Sequence, residues 1–177
     1  MIPVLETERL ILREWREADF EPLADFFAEE ANAHFVGGAC DREETWGKMA
    51  AFIGHWSLRG YGLWVLQGKA DETFKGWAGL SFPVGFPEPE LGWCLVPEAR
   101  GKGLAFEAAT RARAYAYENL GWTTAISLIR PFNGPSLRVA SRLGATLERI
   151  IEFRFRECGI YRHPGPGELT KTSNQAN

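Results

Sequence analysis

A short glycine-rich turn carries the residues whose types and spacing best suit a chemical role. Arg100-Gly-Lys-Gly103 lies between a strand-like run that ends at Val96 and a helical pattern that begins at Leu104. A helix start offers free backbone N–H groups and the positive end of the helix dipole, so it suits an anion. Glycine lets the main chain approach a phosphate closely, and Arg100 and Lys102 add positive charge. The same residues also suit a plain strand–turn–helix connection, and the local pattern leaves both interpretations open.

One side chain on the preceding strand invites a catalytic interpretation. Cys94 has no histidine nearby in sequence to activate it, so we interpret it as a small core residue. The cysteines and histidines show no metal-ligand spacing, and we predict no metal: Cys40, Cys94, Cys158, His34, His55 and His163.

Composition limits the classes of protein that could contain these residues. The chain has 177 residues, 45% of them hydrophobic, which suits one folded domain and excludes disorder as the dominant state. A net charge of −3 argues against a nucleic-acid-binding surface. An odd number of cysteines, no signal-peptide pattern and no apolar run long enough to span a membrane together predict a cytoplasmic protein.

Hydrophobic periodicity predicts the elements that must position the candidate residues, in the order β-α-α-β-β-β-α-β-α-β-β. The predicted strands are 10–12, 63–66, 74–80, 90–96, 125–129, 145–149 and 151–161. The predicted helices are 19–27, 41–59, 104–120 and 136–143. We expect one α/β domain over residues 1–162, followed by a polar, flexible tail over 163–177.

Four blocks of sequence resemble the GNAT superfamily of N-acetyltransferases. Arg100-x-x-Gly103-x-Ala105 resembles its R/Q-x-x-G-x-G/A signature. Three further blocks resemble the branch that includes the RimJ/RimL protein N-terminal acetyltransferases: Thr7–Arg13, Glu90–Pro97 and Asn133–Gly144. The resemblance covers nearly the whole chain. It implies the GNAT fold, a mixed central sheet of about six to seven strands flanked by about four helices.

The resemblance also implies a cofactor and the residues that hold it. Acetyl-CoA would lie with its pantetheine arm against the central strand and its pyrophosphate at the glycine-rich turn. The central strand's backbone would also polarise the acetyl carbonyl. The implied cofactor-binding residues are Cys94, Leu95, Val96, Arg100, Gly101, Lys102, Gly103, Leu104, Ala105 and Asn133.

The family mechanism implies two catalytic residues and leaves the acceptor open. Glu90, at the start of the central strand, would be the base that deprotonates the attacking amine if burial raises its pKa toward the working range. It also suits a solvated position after a turn. Many relatives protonate the leaving thiolate with a tyrosine, but Ala140 occupies that place here. Ser136 is the remaining candidate, and a helix-capping role suits it equally well. The acceptor would be a protein N-terminus or a small-molecule amine. A homodimer remains open, and an acetyl-CoA-binding sensor or scaffold without turnover is the alternative function.

Overall fold

Alternating strands and helices occupy the part of the chain that the computed structural model describes, residues 1–169. The strands are β1 (Leu5–Glu6), β2 (Leu10–Arg13), β3 (Leu63–Gly68), β4 (Phe74–Ser81), β5 (Glu90–Leu95), β6 (Ile126–Ile129), β7 (Thr146–Phe153) and β8 (Arg156–Arg162). The helices include α1 (Phe20–Ala28), α2 (Glu30–Ala33), α3 (Arg42–Arg59), α4 (Leu104–Asn119) and α5 (Gly134–Arg142). The predicted α/β class is therefore confirmed.

The strands form one mixed sheet in the order β1-β2-β3-β4-β5-β6-β8-β7. β1 to β5 pair antiparallel in sequence order, which includes the predicted meander of the three central strands. β6 runs parallel to β5, because α4 carries the chain back across the sheet between them. The strand count is slightly higher than predicted because the two-residue strand β1 extends the edge beside β2.

Small residues allow the layers around β5 to approach closely. The face of α4 toward the sheet is built from fully buried alanines, among them Ala108 and Ala112. On β4, Gly76 has a φ of 126°, and a Cβ atom there would lie 2.1 Å from the carbonyl oxygen of Cys94. Only glycine fits this position. Strand β5 is therefore held closely on its β4 side.

Helix α3 begins and ends at the signals that the sequence carries. The Asp41 carboxylate accepts a hydrogen bond from the Glu44 N–H at 2.8 Å, which caps the first turn. Gly60, in the left-handed region with a φ of 75°, ends the helix. The helix lies beside the sheet and turns Lys48, Phe52 and His55 toward a cavity described below.

The last two strands differ most from the prediction. The sequence predicted a break near residue 150, whereas β7 continues to Phe153 and the chain turns at Arg154-Phe155. Those two residues have φ values of 51° and 60°, and the turn contains none of the glycine, asparagine or proline residues that usually mark one. The sequence therefore carried no recognisable turn signal at this point.

The predicted C-terminal tail begins inside the packed structure. His163 is buried, and the carbonyl oxygen of Pro164 accepts a hydrogen bond from Tyr117. Residues 170–177 lie outside the described residues, and the flexibility of the tail stays a prediction. Within residues 1–169, the structure contains no helix that is long and apolar enough to cross a membrane.

Candidate active site

Strands β5 and β6 separate soon after they meet, and we refer to the gap between them as the fork. Their register contains one pair within the described chain, Glu90 with Ile126. Beyond this pair, hydrogen bonds that involve side chains take the place of backbone-to-backbone hydrogen bonds between the two strands. The Leu128 N–H donates to the Glu90 carboxylate at 3.2 Å, and the Ser127 hydroxyl donates to the Leu91 carbonyl at 2.6 Å. The β5 edge in the fork therefore has backbone groups free to pair with an extended ligand.

Glu90 lies at the closed end of the fork, in the wall of a cavity of about 430 Å³. Its second carboxylate oxygen accepts a hydrogen bond from the Ser81 hydroxyl at 3.0 Å. Burial raises the pKa of Glu90, and this effect exceeds the lowering by the Leu128 and Ser81 hydrogen bonds and by the charge of Arg154. The raised pKa makes this carboxyl group a better proton acceptor than an exposed glutamate.

A buried chain of hydrogen bonds supports the fork from behind. Because the one Ser127 hydroxyl proton goes to Leu91, His163 Nε2 donates to Ser127 across 2.8 Å. His163 Nδ1 is then the acceptor that faces the Arg113 guanidinium at 3.4 Å. Burial and the Arg113 charge lower the pKa of His163 to about 3, so the ring is neutral at pH 7. Sequence reasoning missed Ser127 and assigned His163 to the tail.

Helix α5 brings two predicted residues to the same cavity. Asn133 and Ser136 both line it. The Asn133 side-chain oxygen accepts a hydrogen bond from the Ser136 N–H at 3.2 Å, so Asn133 caps the helix. The capping hydrogen bond therefore does not involve the Ser136 hydroxyl. Ala140 is fully buried and has no proton to donate.

Two other reactive side chains line the cavity without being suited to catalysis. Burial raises the pKa of Cys94 to about 12, so its thiol stays protonated and poorly nucleophilic. His55 Nε2 accepts a hydrogen bond from the Phe82 N–H at 2.9 Å, and its Nδ1 donates to the Tyr61 carbonyl at 2.7 Å. Both ring nitrogens of His55 are thus occupied, and it connects α3 to the loop after β4.

The glycine-rich turn follows the far end of β5, outside the lining of the cavity. Gly101 and Gly103 have φ values of 75° and 79°, and a Cβ atom at Gly101 would meet nothing within 4 Å. The main chain therefore faces open space where the first N–H groups of α4 are free. Arg100 Nε donates to the Leu95 carbonyl at 3.0 Å, which ties the turn to β5. This arrangement fits a phosphate group.

A contact that the sequence did not reveal supports this turn. Arg9 donates to the Lys102 carbonyl at 2.8 Å and forms an ion pair with Glu107 at 2.6 Å. The Thr7 hydroxyl donates to the same carboxylate at 2.5 Å. The loop between β1 and β2 thus holds both the turn and the first turn of α4. No local pattern signals a contact between residues almost a hundred positions apart.

Residues from helices α1, α3 and α5, from six strands and from the loops between them form the walls of the cavity. The aromatic residues are Phe27, Phe35, Phe52, Trp77, Phe86, Trp93 and Phe153. Of the predicted site residues, Glu90, Cys94, Asn133 and Ser136 line it together, whereas Leu95, Val96 and the residues from Arg100 to Ala105 do not. Among residues 1–169, no group of three or more His, Cys, Asp or Glu side chains is arranged to hold a metal ion.

Comparison with known protein families identifies the family of this chain. The sequence profile of the acetyltransferase (GNAT) domain matches residues 9–146, which include the fork and the glycine-rich turn. This chain is a GNAT acetyltransferase. The family consists of acyltransferases whose fold binds acetyl-CoA, so the predicted family and enzyme class are confirmed.

Individual relatives agree with the family assignment. The GNAT acetyltransferase described here is 36% identical to an acetyltransferase from Agrobacterium tumefaciens str. C58, with a TM-score of 0.85 over 92% of this chain and 95% of that one. It is 22% identical over 154 residues to the uncharacterized N-acetyltransferase YoaA of Bacillus subtilis, covering 85% of this chain and 87% of YoaA. The RimL ribosomal L7/L12 acetyltransferase in complex with coenzyme A shares the fold, at 18% identity and a TM-score of 0.74 over 92% of this chain and 98% of that one.

Proposed function

We propose that this acetyltransferase transfers the acetyl group directly from acetyl-CoA to a primary amine while both substrates are bound. The observation that carries the proposal is the position of Glu90, a half-buried carboxyl group at the closed end of the fork. The fork opens there into a cavity large enough for an acceptor, and Ser136 lines the same cavity. A base, a binding edge for the thioester and a hydroxyl donor thus share one site.

The residues present fit acetyl-CoA at two places. The N–H groups from Gly101 to Ala105, with Arg100 and Lys102, would hold the pyrophosphate at the open turn. The β5 backbone around Cys94, Leu95 and Val96 would pair with the pantetheine amides, and the Asn133 side-chain NH₂ group remains available to it. When bound, acetyl-CoA supplies an activated acetyl thioester.

Glu90 and Ser136 would handle the protons of the reaction. Glu90, directly or through a water molecule, takes a proton from the ammonium, and the amine nitrogen then bonds to the thioester carbonyl carbon. Backbone N–H groups of β5 stabilise the negative charge that develops on the carbonyl oxygen. As the carbon–sulfur bond breaks, Ser136 donates its proton to the sulfur. The nitrogen loses its second proton, which restores the Ser136 hydroxyl through solvent, and Glu90 releases the first proton to solvent. The products are an N-acetylated amine and free coenzyme A.

The first experiment is a turnover screen that follows release of the free thiol of coenzyme A. The acceptors are small primary amines and peptides with free N-termini. Both are needed because the similar proteins include a ribosomal-protein acetyltransferase and an uncharacterized N-acetyltransferase. Thiol release that depends on an amine supports the proposal. Tight binding of acetyl-CoA without release toward any amine supports instead the alternative, a sensor or scaffold. Cytoplasmic location and a homodimer stay predictions.

Replacing Ser136 tests its assignment as the donor to the leaving thiolate. We expect Ser136→Ala to lower kcat by about 10-fold to 10³-fold, because general acid catalysis typically contributes 10²–10⁴-fold. Acetyl-CoA affinity, measured by calorimetry, should stay within about threefold, since the cap belongs to Asn133. Ser141→Ala is the matched control, because Ser141 is exposed on the same helix. Unchanged turnover in Ser136→Ala would contradict the assignment.

A further inference from the structure

The cavity beside Glu90 is lined by more positive than negative side chains. Lys48, Arg130 and Arg154 line it, and within residues 1–169 Glu90 is the one carboxylate that does. None of these three cations belongs to an ion pair of the described chain. The whole protein has a net charge of −3, so the positive charge is a local property of this cavity.

Aromatic rings hold two of these cations beside the cavity. Lys48 Nζ lies 5.2 Å from the centre of the Phe27 ring. The Arg154 guanidinium lies 5.3 Å from the centre of the Phe86 ring and 5.2 Å from that of Phe153. Such contacts orient a cation without neutralising its charge. Both groups can therefore still bind an anion.

The backbone holds Arg154 in place by an unusual turn. Arg154 and Phe155 form the two-residue connection between β7 and β8, and both have positive φ, which L-residues with large side chains rarely adopt. Arg130 NH1 donates to the carbonyl oxygens of Phe153 and Glu157 at 3.1 Å and 3.2 Å, so both sides of the turn are fixed beside the cavity. Strain of this kind persists where the surrounding structure determines it, often at a binding site.

These cations lie near the amine end of the site rather than the phosphate end. Arg154 is close enough to Glu90 for its charge to act on that carboxyl group. The glycine-rich turn follows the opposite end of β5, a strand of six residues that spans roughly 20 Å. The pyrophosphate of acetyl-CoA at that turn would therefore not neutralise Arg154.

A simple ammonium would be repelled by this cavity, whereas an amine with its own carboxylate would bring the missing negative charge. We propose that the acceptor is a small amine that bears a carboxylate on an apolar body, with Arg154 binding the carboxylate and Lys48 adding positive charge from α3. The amine would then lie at Glu90 and the apolar body against rings such as Phe52 and Trp77. This inference rests on the proposed function, and it favours a small molecule of amino-acid type over a protein N-terminus.

The test compares amines that share a body and differ only in a carboxylate or a carboxamide. Suitable pairs are phenylalanine with phenylalaninamide, leucine with leucinamide, and 4-(aminomethyl)benzoate with its amide; a peptide with N-terminal phenylalanine is added. We expect kcat/KM to favour the carboxylate by at least about tenfold in one or more pairs, because a charge-assisted hydrogen bond is lost in the amide. The α-carboxamides have the less basic amine, so intrinsic reactivity opposes this preference.

Variants assign the preference to the two cations. Arg154→Met should bring the kcat/KM ratio of carboxylate to carboxamide to within about threefold of unity, chiefly through KM, while Arg154→Lys retains part of it. Lys48→Met should lower the ratio less. Arg59→Met is the matched control, since Arg59 lies 5.1 Å from the centre of the Phe82 ring but does not line the cavity.

The outcomes separate this inference from the proposed function. Thiol release with amines but no preference for a carboxylate, or a preference for the peptide, overturns the inference alone. A preference that survives in both Arg154→Met and Lys48→Met also overturns it, because the anion would then bind elsewhere. No release with any amine overturns the proposed function and this inference together.

Discussion

The two ends of β5 are built in different ways. After the C-terminal end of β5, the glycine-rich turn consists of consecutive residues whose main chain faces open space. An anion would be bound there by backbone N–H groups and the helix dipole. At its start, the Glu90 carboxylate accepts hydrogen bonds from Ser81 on β4 and from the Leu128 N–H on β6. The buried chain through Ser127 and His163 supports the neighbouring Leu91 carbonyl. The chemical groups of one end therefore come from consecutive residues, whereas those of the other come together only when the sheet folds.

This difference separates binding from proton transfer. A phosphate site needs N–H groups and positive charge, which the consecutive residues of a short turn at a helix start provide, and here the distant Arg9 supports that turn from outside. A carboxyl group that acts as a base near neutral pH needs a buried position with a controlled number of hydrogen bonds, which only tertiary structure provides. Substitutions at the two ends should consequently affect different measured quantities.

The largest effect is expected for Glu90→Gln, which keeps the shape of the side chain and removes its ability to accept a proton. We expect kcat at pH 7 to fall by about 10²-fold to 10³-fold, and the loss to shrink as the pH rises toward the pKa of the acceptor amine. Acetyl-CoA affinity should stay within about threefold, since the phosphate turn is unchanged. Steady-state kinetics from about pH 6 to pH 9.5 and calorimetry provide the two measurements.

A matched substitution separates this effect from a general loss of negative charge. Glu98→Gln changes an exposed glutamate just after β5 and should leave kcat and acetyl-CoA affinity unchanged. A loss in Glu90→Gln that is constant over the whole pH range would mean that Glu90 only positions the acceptor or a water molecule. Full activity would show that the amine arrives already neutral and needs no base.

A smaller effect, on binding, is expected at the other end of β5. Lys102→Glu places a negative charge at the turn without altering the conformations of Gly101 and Gly103. Acetyl-CoA affinity measured by calorimetry should fall at least about tenfold, or roughly 1.4 kcal/mol. Arg59→Glu makes the same change in charge far from the turn and should leave the affinity unchanged. Equal acetyl-CoA affinity in Lys102→Glu and the native protein would contradict the assignment of the phosphate site to this turn.

The same difference between local and long-range contacts explains which features could be predicted from the sequence. The turn from Arg100 to Ala105, the long helix after Asp41 and the order of most elements are local patterns, and they were predicted. The contact of Arg9 with Glu107 and the role of Ser127 depend on strand pairing that no local pattern encodes. Arg154 was missed for a further reason, since it lies in a turn without the residues that mark turns.

His163 provides the last and smallest test, because its effect is on stability. Its pKa is lowered from an ordinary value of 6.5 to about 3, so the unfolded chain binds a proton more readily than the folded one between those values. The contribution of His163 to stability is therefore present above pH 6.5 and is lost as the pH falls. Linkage limits this loss to about 1.4 kcal/mol per pH unit.

The contribution of Glu90 to stability has the opposite pH dependence. The contributions of Glu90 and His163 should therefore partly cancel. The raised pKa of Glu90 means that the folded state holds the carboxyl proton more tightly, so stability falls as the pH rises above 4.5. Between about pH 5 and pH 6.5, urea unfolding of His163→Gln should show stability decreasing as the pH rises, while Glu90→Gln should show it increasing. Ser141→Ala, which removes no titratable group and lies at an exposed position, should keep the native slope. If His163→Gln also keeps it, His163 is not held neutral by the fold, and the buried support behind the fork would need another explanation.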